Sequence, residues 1–171
     1  MILVAVGTHA MPFDRLLKAV DALHATKGLS TEEVVVQSGS STLTCRASQQ
    51  FAYCAAPAFA ALLERADLLI SHGGIGTLLP ALRLGKRVIA IPRLKRYGEH
   101  NNDHQVEVCA ELGRRMALFT SLDAADLPAL AARDPADLRP LVGESTIVDR
   151  VREELHAFAR RLPGGPHGAN A

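Results

Sequence analysis

Three polar segments carry residue types that can handle an anionic, hydroxylated ligand. The run Ser71-His72-Gly73-Gly74-Ile75-Gly76-Thr77 stands between an apolar strand, Leu68-Leu69-Ile70, and a helical stretch read from about Thr77 to Leu84. A helix start presents unpaired backbone N–H groups and the positive end of the helix dipole. Glycines let an anion reach those groups with no Cβ in the way, so phosphate or diphosphate is the matching guest. Thr77 could cap the helix or offer its hydroxyl to the ligand. The same glycines would equally serve a tight strand-to-helix turn that binds nothing. The second segment, Glu99 to Gln105, is a polar loop running into a helix, with Asn102 or Asp103 as cap. His104 and Gln105 suit the hydroxyls of a sugar or ribose, and the bland alternative is a solvated loop. His100 and His104 are four apart but no third ligand accompanies them, so no metal is expected. The third segment, Gly7-Thr8-His9, closes the first strand, and Thr8 could meet a phosphate or sit in a plain turn. Arg93, Lys95 and Arg96 read as a solvated loop or as partners for an anion.

Several familiar chemistries do not fit. The dinucleotide fingerprint follows the first strand and needs further glycines there. Here the first strand leads into Gly7-Thr8-His9-Ala10, and the glycine turn comes after a later strand. No Lys-Ser or Lys-Thr follows the glycines, so the phosphate loop of ATPases is absent too. No nucleophile elbow or paired-carboxylate pattern stands out, and no catalytic residue is assigned.

The elements that must position these segments alternate. Ile2 to Val6 reads as a buried strand, followed by a helix from Phe13 to Thr26 with apolar residues at helical spacing and Lys27-Gly28 at its end. Val34 to Val36 is a second strand, and Leu43 to Cys54 reads as short extended pieces. A helix from Pro57 to Arg65, the strand Leu68 to Ile70, the helix after the glycine turn and the strand Val88 to Ile91 come next. The loop Arg93 to Asn102 leads to a helix ending near Gly113, then to a strand over Met116 to Phe119. Helices are read over Ala124 to Ala132 and Val148 to Leu162, and a Gly/Pro-rich tail over Pro163 to Ala171 is expected to be disordered. Alternation of this kind implies an α/β, Rossmann-like domain with a mostly parallel sheet and helices on both faces. Ligands then bind at the carboxyl ends of the strands, where all three polar segments fall.

Composition narrows the class further. The 171 residues suit one domain, read as 1–162 with the tail 163–171. A net charge of +1 and the near absence of aromatics, 4% with no Trp, argue against a nucleic-acid partner. Three cysteines, Cys45, Cys54 and Cys109, match no zinc or disulfide pattern and are read as small buried hydrophobes in a reducing, cytoplasmic compartment. The apolar N-terminus is too short for a signal peptide, and no run is long enough to span a bilayer.

The motifs in their order carry a resemblance. Leu69 to Thr77, Ala81-Leu82-Arg83-Leu84-Gly85-Lys86 with the strand and proline after it, and Asp103-His104-Gln105 are similar to the C-terminal domain of glycosyltransferase family 28. Val4-Ala5-Val6-Gly7-Thr8 with Pro12-Phe13-Asp14-Arg15-Leu16 narrows it to the small stand-alone members of that family. Those are donor-binding subunits of two-component UDP-sugar glycosyltransferases, acting in dolichol-linked N-acetylglucosaminyl transfer or in bacterial exopolysaccharide β-1,4-glucuronosyl transfer. The resemblance covers roughly residues 1–130. It implies the C-terminal half of a GT-B fold, a UDP-sugar donor, transfer of a hexose-type sugar to a lipid-linked saccharide, and no cofactor. It also implies a membrane-associated partner subunit that carries the acceptor half and the general base, and a peripheral location at the membrane through that partner. On the matching positions, Thr8, His72, Gly73, Gly74, Gly76 and Thr77 would line the diphosphate, and His104 and Gln105 would face the donor sugar. Pro80 departs from the pattern, standing where relatives place an acidic residue for the ribose hydroxyls. That departure suits an alternative, a non-catalytic scaffold or regulatory subunit that keeps the fold.

Overall fold

A computed structural model describes residues 1–27, 34–115 and 117–139. Six strands form one sheet: β1 Ile2–Ala5, β2 Val34–Gln37, β3 Gln49–Phe51, β4 Leu68–Ser71, β5 Arg87–Ala90 and β6 Phe119–Thr120. Their spatial order is β3-β2-β1-β4-β5-β6, and every pairing is parallel. Parallel strands need crossovers; among the described residues α1 Asp14–Lys27, α2 Ala56–Arg65, α3 Ile75–Arg83 and α4 His104–Arg114 lie within them, and α5 Leu127–Ala132 follows β6.

Both faces of the sheet are covered, which is why β1 and β4 are apolar at nearly every residue. Ile2 and Val4 pack with Phe13, Leu16, Leu17 and Val20 of the α1 side, joined by Leu127 of α5. Leu3 and Ala5 point the other way, toward Leu63 of α2, Leu78 and Leu82 of α3, and Val108 and Leu112 of α4. The expected doubly covered, Rossmann-like parallel sheet is therefore what forms.

Strand order reverses between β1 and β4, so the loops after these two strands diverge and open a crevice at the carboxyl edge. Gly7 to Phe13 leaves β1 there and His72 to Gly74 leaves β4. The loop after β5 closes the third side.

Several sequence expectations shift. The last strand lies at Phe119–Thr120 rather than over Met116 to Phe119, since Ala117 and Leu118 precede it without pairing. Only Gln49–Phe51 of the 43–54 segment is a strand, paired to β2. Helix α3 begins at Ile75, two residues before Thr77. Cys45 and Cys109 are buried but Cys54 is exposed, because it sits just past edge strand β3. His24 is half-buried, with its Nε2 enclosed on the α1 face. The helix expected over 148–162, the tail 163–171 and the outer bound of the domain lie outside the described residues. Among the described residues, no helix is long and apolar enough to cross a membrane.

Candidate functional site

The crevice is built from backbone that side chains hold in place. Gly7 has φ +84°, a left-handed conformation that favours glycine, and the Gln37 side chain clamps it from both sides. The Gly7 amide donates to Gln37 Oε1 at 3.0 Å, and Gln37 Nε2 donates back to the Gly7 carbonyl at 3.0 Å. On the other wall, Gln105 Oε1 accepts from the Gly73 amide and from the Arg93 amide, each at 3.1 Å. One buried side-chain oxygen thus joins the turn after β4 to the loop after β5. Both glutamines are only 4% exposed, so these bonds run in a low-dielectric interior.

His72 fills the space between the two glycine loops. Its amide donates to the Ala5 carbonyl, and its Nδ1 lies 3.2 Å from Ser71 Oγ and 3.3 Å from the Ala5 carbonyl. Since Ser71 Oγ donates its own hydrogen to Ala5 O, the imidazole Nδ1 is the protonated nitrogen. A Cβ on Gly7 would come within 2.6 Å of His72 Cε1 and Nε2, and one on Gly74 would overlap Nε2. Glycine at 7 and 74 is therefore what lets the ring sit there. Burial, with the Arg93 charge as second cause, pushes the His72 pKa down to about 4. The ring is neutral at ordinary pH.

Arg93, read from sequence as part of a solvated loop or as a partner for an anion, is instead fully buried. Its Nη1 donates to the carbonyls of Met11 at 2.8 Å and Glu99 at 2.9 Å, and its Nη2 to Val6 at 2.8 Å. The guanidinium lies 4.8 Å from the Phe13 ring centre. Burial lowers its pKa to about 10, so it stays charged at neutral pH and ties the β1 loop to the β5 loop. Glu99, 5% exposed, receives the Arg15 fork at 2.9 Å on each oxygen and also accepts from the Leu94 amide. Arg15, Glu99 and Arg93 together leave one net positive charge behind the crevice.

The anion-competent groups face out from this frame. Gly74 is the N-cap of α3 and makes no side-chain cap bond, so the amides that open the helix at Ile75 and Gly76 have no partner within it. Gly76 is exposed, and a Cβ there would meet nothing within 4 Å. Thr77 is half-buried in the first turn, its amide bonded to the Gly74 carbonyl, and Thr8 is exposed across the crevice. His104 opens α4 with Nδ1 on Asn102 Oδ1, and its ring meets His100 edge-on at 4.7 Å. Of the residues expected from sequence, Thr8, Gly74, Gly76, Thr77 and His104 border one crevice, while Gly73, Gln105 and His72 lie buried behind its surface, the Gly73 amide held by Gln105.

Pro80 falls in the second turn of α3 because the helix starts early. Its ring removes the N–H that would bond the Gly76 carbonyl. A separate open groove of about 610 Å³ lies beside the crevice, lined by Arg15, Lys18, Tyr97 and Asp123 and by no residue of the glycine turn. Among the described residues, no group of three or more His, Cys, Asp or Glu side chains could hold a metal ion. The sequence reading missed Gln37 and placed Arg93 in a solvated or anion-facing loop. The one signal for Gln37 was a polar residue closing the run Val34-Val35-Val36.

Comparison with known proteins agrees with this fold. The model of the glycosyltransferase family 28 C-terminal domain matches residues 1–133. The UDP-N-acetylglucosamine transferase subunit ALG13 of Yarrowia lipolytica is 39% identical over 61 residues, which cover 36% of this chain and 29% of that one. The matched part is therefore under a third of that relative's length. Among solved structures, the glycosyltransferase SnogD of Streptomyces nogalater is 26% identical with a TM-score of 0.55, covering 91% of this chain and 39% of its own. The NMR structure of ALG13 has a TM-score of 0.59 at 16% identity, covering 88% of this chain and 93% of its own, a likeness of fold.

Proposed function

The chain belongs to the glycosyltransferase family 28 C-terminal domain family, and from that premise we propose that it is the donor-binding half of a two-component UDP-sugar glycosyltransferase. In this reading it moves a hexose-type sugar to a lipid-linked saccharide. A membrane-associated partner subunit supplies the acceptor half and the general base, and holds the chain at the cytoplasmic face of the membrane. The observation that carries the reading is the uncapped start of α3 set against Gly7 at the switch point of the sheet.

The chemistry follows from that placement. The first amides of α3 meet the diphosphate, with Thr77 on the same turn and Thr8 opposite. Negative charge grows on the UDP leaving group as the glycosidic bond breaks. Amides already aimed there lower the barrier without reorganising. The buried positive charge of Arg93 adds a field of the right sign. Gln105 and His72 act by fixing the turn, and His104 lies on the side where the sugar would project.

Calorimetry with UDP tests the donor site through Thr77→Glu. A carboxylate in the first turn favours the helix by about 0.3–1 kcal/mol, yet repels the diphosphate. The expected result is intact folding with UDP binding lost; unchanged binding refutes the site. Transfer assays with and without the partner test the division of labour, and full turnover by this chain alone refutes it. The second reading, a non-catalytic scaffold, draws on Pro80, an exposed residue with no acceptor side chain for a ribose. It predicts no UDP binding even in the complex.

A further inference from the structure

Three imidazoles gather at the mouth of the crevice. His9 of the β1 loop stacks on His100 of the β5 loop at 4.4 Å and 29°, and His100 meets His104 edge-on at 4.7 Å and 67°. Nothing in the proposed donor site requires His9 or His100. The hydrogen bonds of the cluster assign its protons. His9 Nδ1 accepts from the Met11 amide at 3.2 Å, and His100 Nδ1 accepts from the Asn102 amide at 3.3 Å. Each therefore carries its hydrogen on Nε2, and a second proton on Nδ1 would break a backbone bond. His104 is the reverse. Its Nδ1 donates to Asn102 Oδ1, which leaves Nε2 as the basic nitrogen. A proton reaching the cluster can settle on His104 Nε2 with every existing bond intact.

We infer that this cluster is a proton-linked anion subsite: His104 takes up a proton at Nε2 when a diphosphate diester binds, while His9 and His100 keep the Nδ1 bonds to their backbone amides. The inference rests on the donor-site reading above, whose ligand supplies the negative charge. Without ligand His104 and His100 resist protonation. Burial lowers the pKa of both His104 and His100; His9 adds to it at both, and His104 adds to it at His100. Positive charge also faces His100 from Arg93 in the loop after β5, while neutral His72 closes the β4 side. On α4 itself Glu107 pulls the His104 pKa upward, and Asp103 is held on the Lys95 amide. A ligand phosphate arriving beside the α3 start tips this balance toward imidazolium. The protonated form then binds more tightly, and affinity rises as the pH falls through the bound-state pKa.

UDP-glucose and ADP-glucose are suitable probes because their diesterified diphosphates have no proton to exchange near neutrality. Calorimetry from pH 5.5 to 8 in buffers of differing ionisation enthalpy is expected to show uptake of close to one proton per UDP-glucose. Between the free and bound pKa values, affinity weakens about tenfold per pH unit. His104→Gln should flatten that profile and abolish the proton uptake, whatever its effect on the affinity at pH 8. His104→Asn is the second variant should the first disturb α4. Binding of UDP-glucose with no proton uptake, or an unaltered slope in both variants, overturns the inference and leaves the donor reading standing. Equal, proton-linked binding of both probes upholds the inference and refutes the uridine preference. No binding of either probe at any pH overturns both.

Discussion

The packing of His72 between two glycines makes a prediction that separates architecture from ligand binding. Gly74→Ala places a methyl group on top of His72 Nε2 and 2.8 Å from Cδ2. Ordinary carbon contacts are about 3.5–4.0 Å. The ring has little room to retreat, since its Nδ1 is held near Ala5 O and Ser71 Oγ and its other flank lies against Gly7. Overpacking of this kind costs about 1–3 kcal/mol. For a chain of 171 residues that lowers Tm by about 3–9 °C. His72→Ala alone loses the packed ring and its bonds, a cost of about 2–4 kcal/mol. The two changes should not add. With the ring gone the alanine methyl has space, so Gly74→Ala/His72→Ala should be as stable as His72→Ala to within about 0.5 kcal/mol.

Urea unfolding of the four proteins measures the cycle, with a coupling of about 1–3 kcal/mol expected. UDP calorimetry on the same set adds the functional half. If position 74 also touches the diphosphate, the double variant regains stability relative to additivity but not affinity. Additive stabilities, or a Gly74→Ala variant with the wild-type Tm, would refute the steric reasoning.

Other expectations follow from the same frame. Gln105→Leu strands the amides of Gly73 and Arg93, at about 1–3 kcal/mol each, whereas Gln105→Glu keeps both acceptors; thermal unfolding should rank Leu well below Glu, and equal values would argue against the clamp. Pro80→Glu restores the helical N–H to Gly76 and should stabilise α3 by about 1–3 kcal/mol, while offering a ribose an acceptor; a lower Tm or weaker UDP binding counts against this account. His72 has a folded pKa near 4 against an ordinary 6.5, so its contribution is complete above pH 6.5 and is lost as the pH falls toward 4. The loss approaches about 3 kcal/mol. The drop in unfolding free energy between pH 7 and 4.5 should therefore be smaller in His72→Gln than in the wild type, and parallel curves would refute it.

The doubly covered parallel sheet was legible because burial on both faces writes itself as continuous apolar runs such as Ile2–Ala5 and Leu68–Ser71. The crevice was legible through its glycines, and the resemblance agreed with the family match over residues 1–133. What escaped was the scaffolding behind the crevice. Gln37, Gln105 and Arg93 are polar residues in polar or strand-end contexts, and pattern reasoning assigns such residues to solvent or ligand. Their actual partners are backbone groups far along the chain: Gly7 is 30 residues from Gln37, and Val6 is 87 from Arg93. Only the switch point of the sheet brings these loops together. Three loops meeting without regular pairing leave carbonyls and amides that must be satisfied in the interior. Long side chains with several donors or acceptors satisfy them at several places at once. The glycine turn therefore depends on buried polar residues for its shape, and a substitution at Gln105 or Arg93 should disturb an anion that neither residue needs to touch.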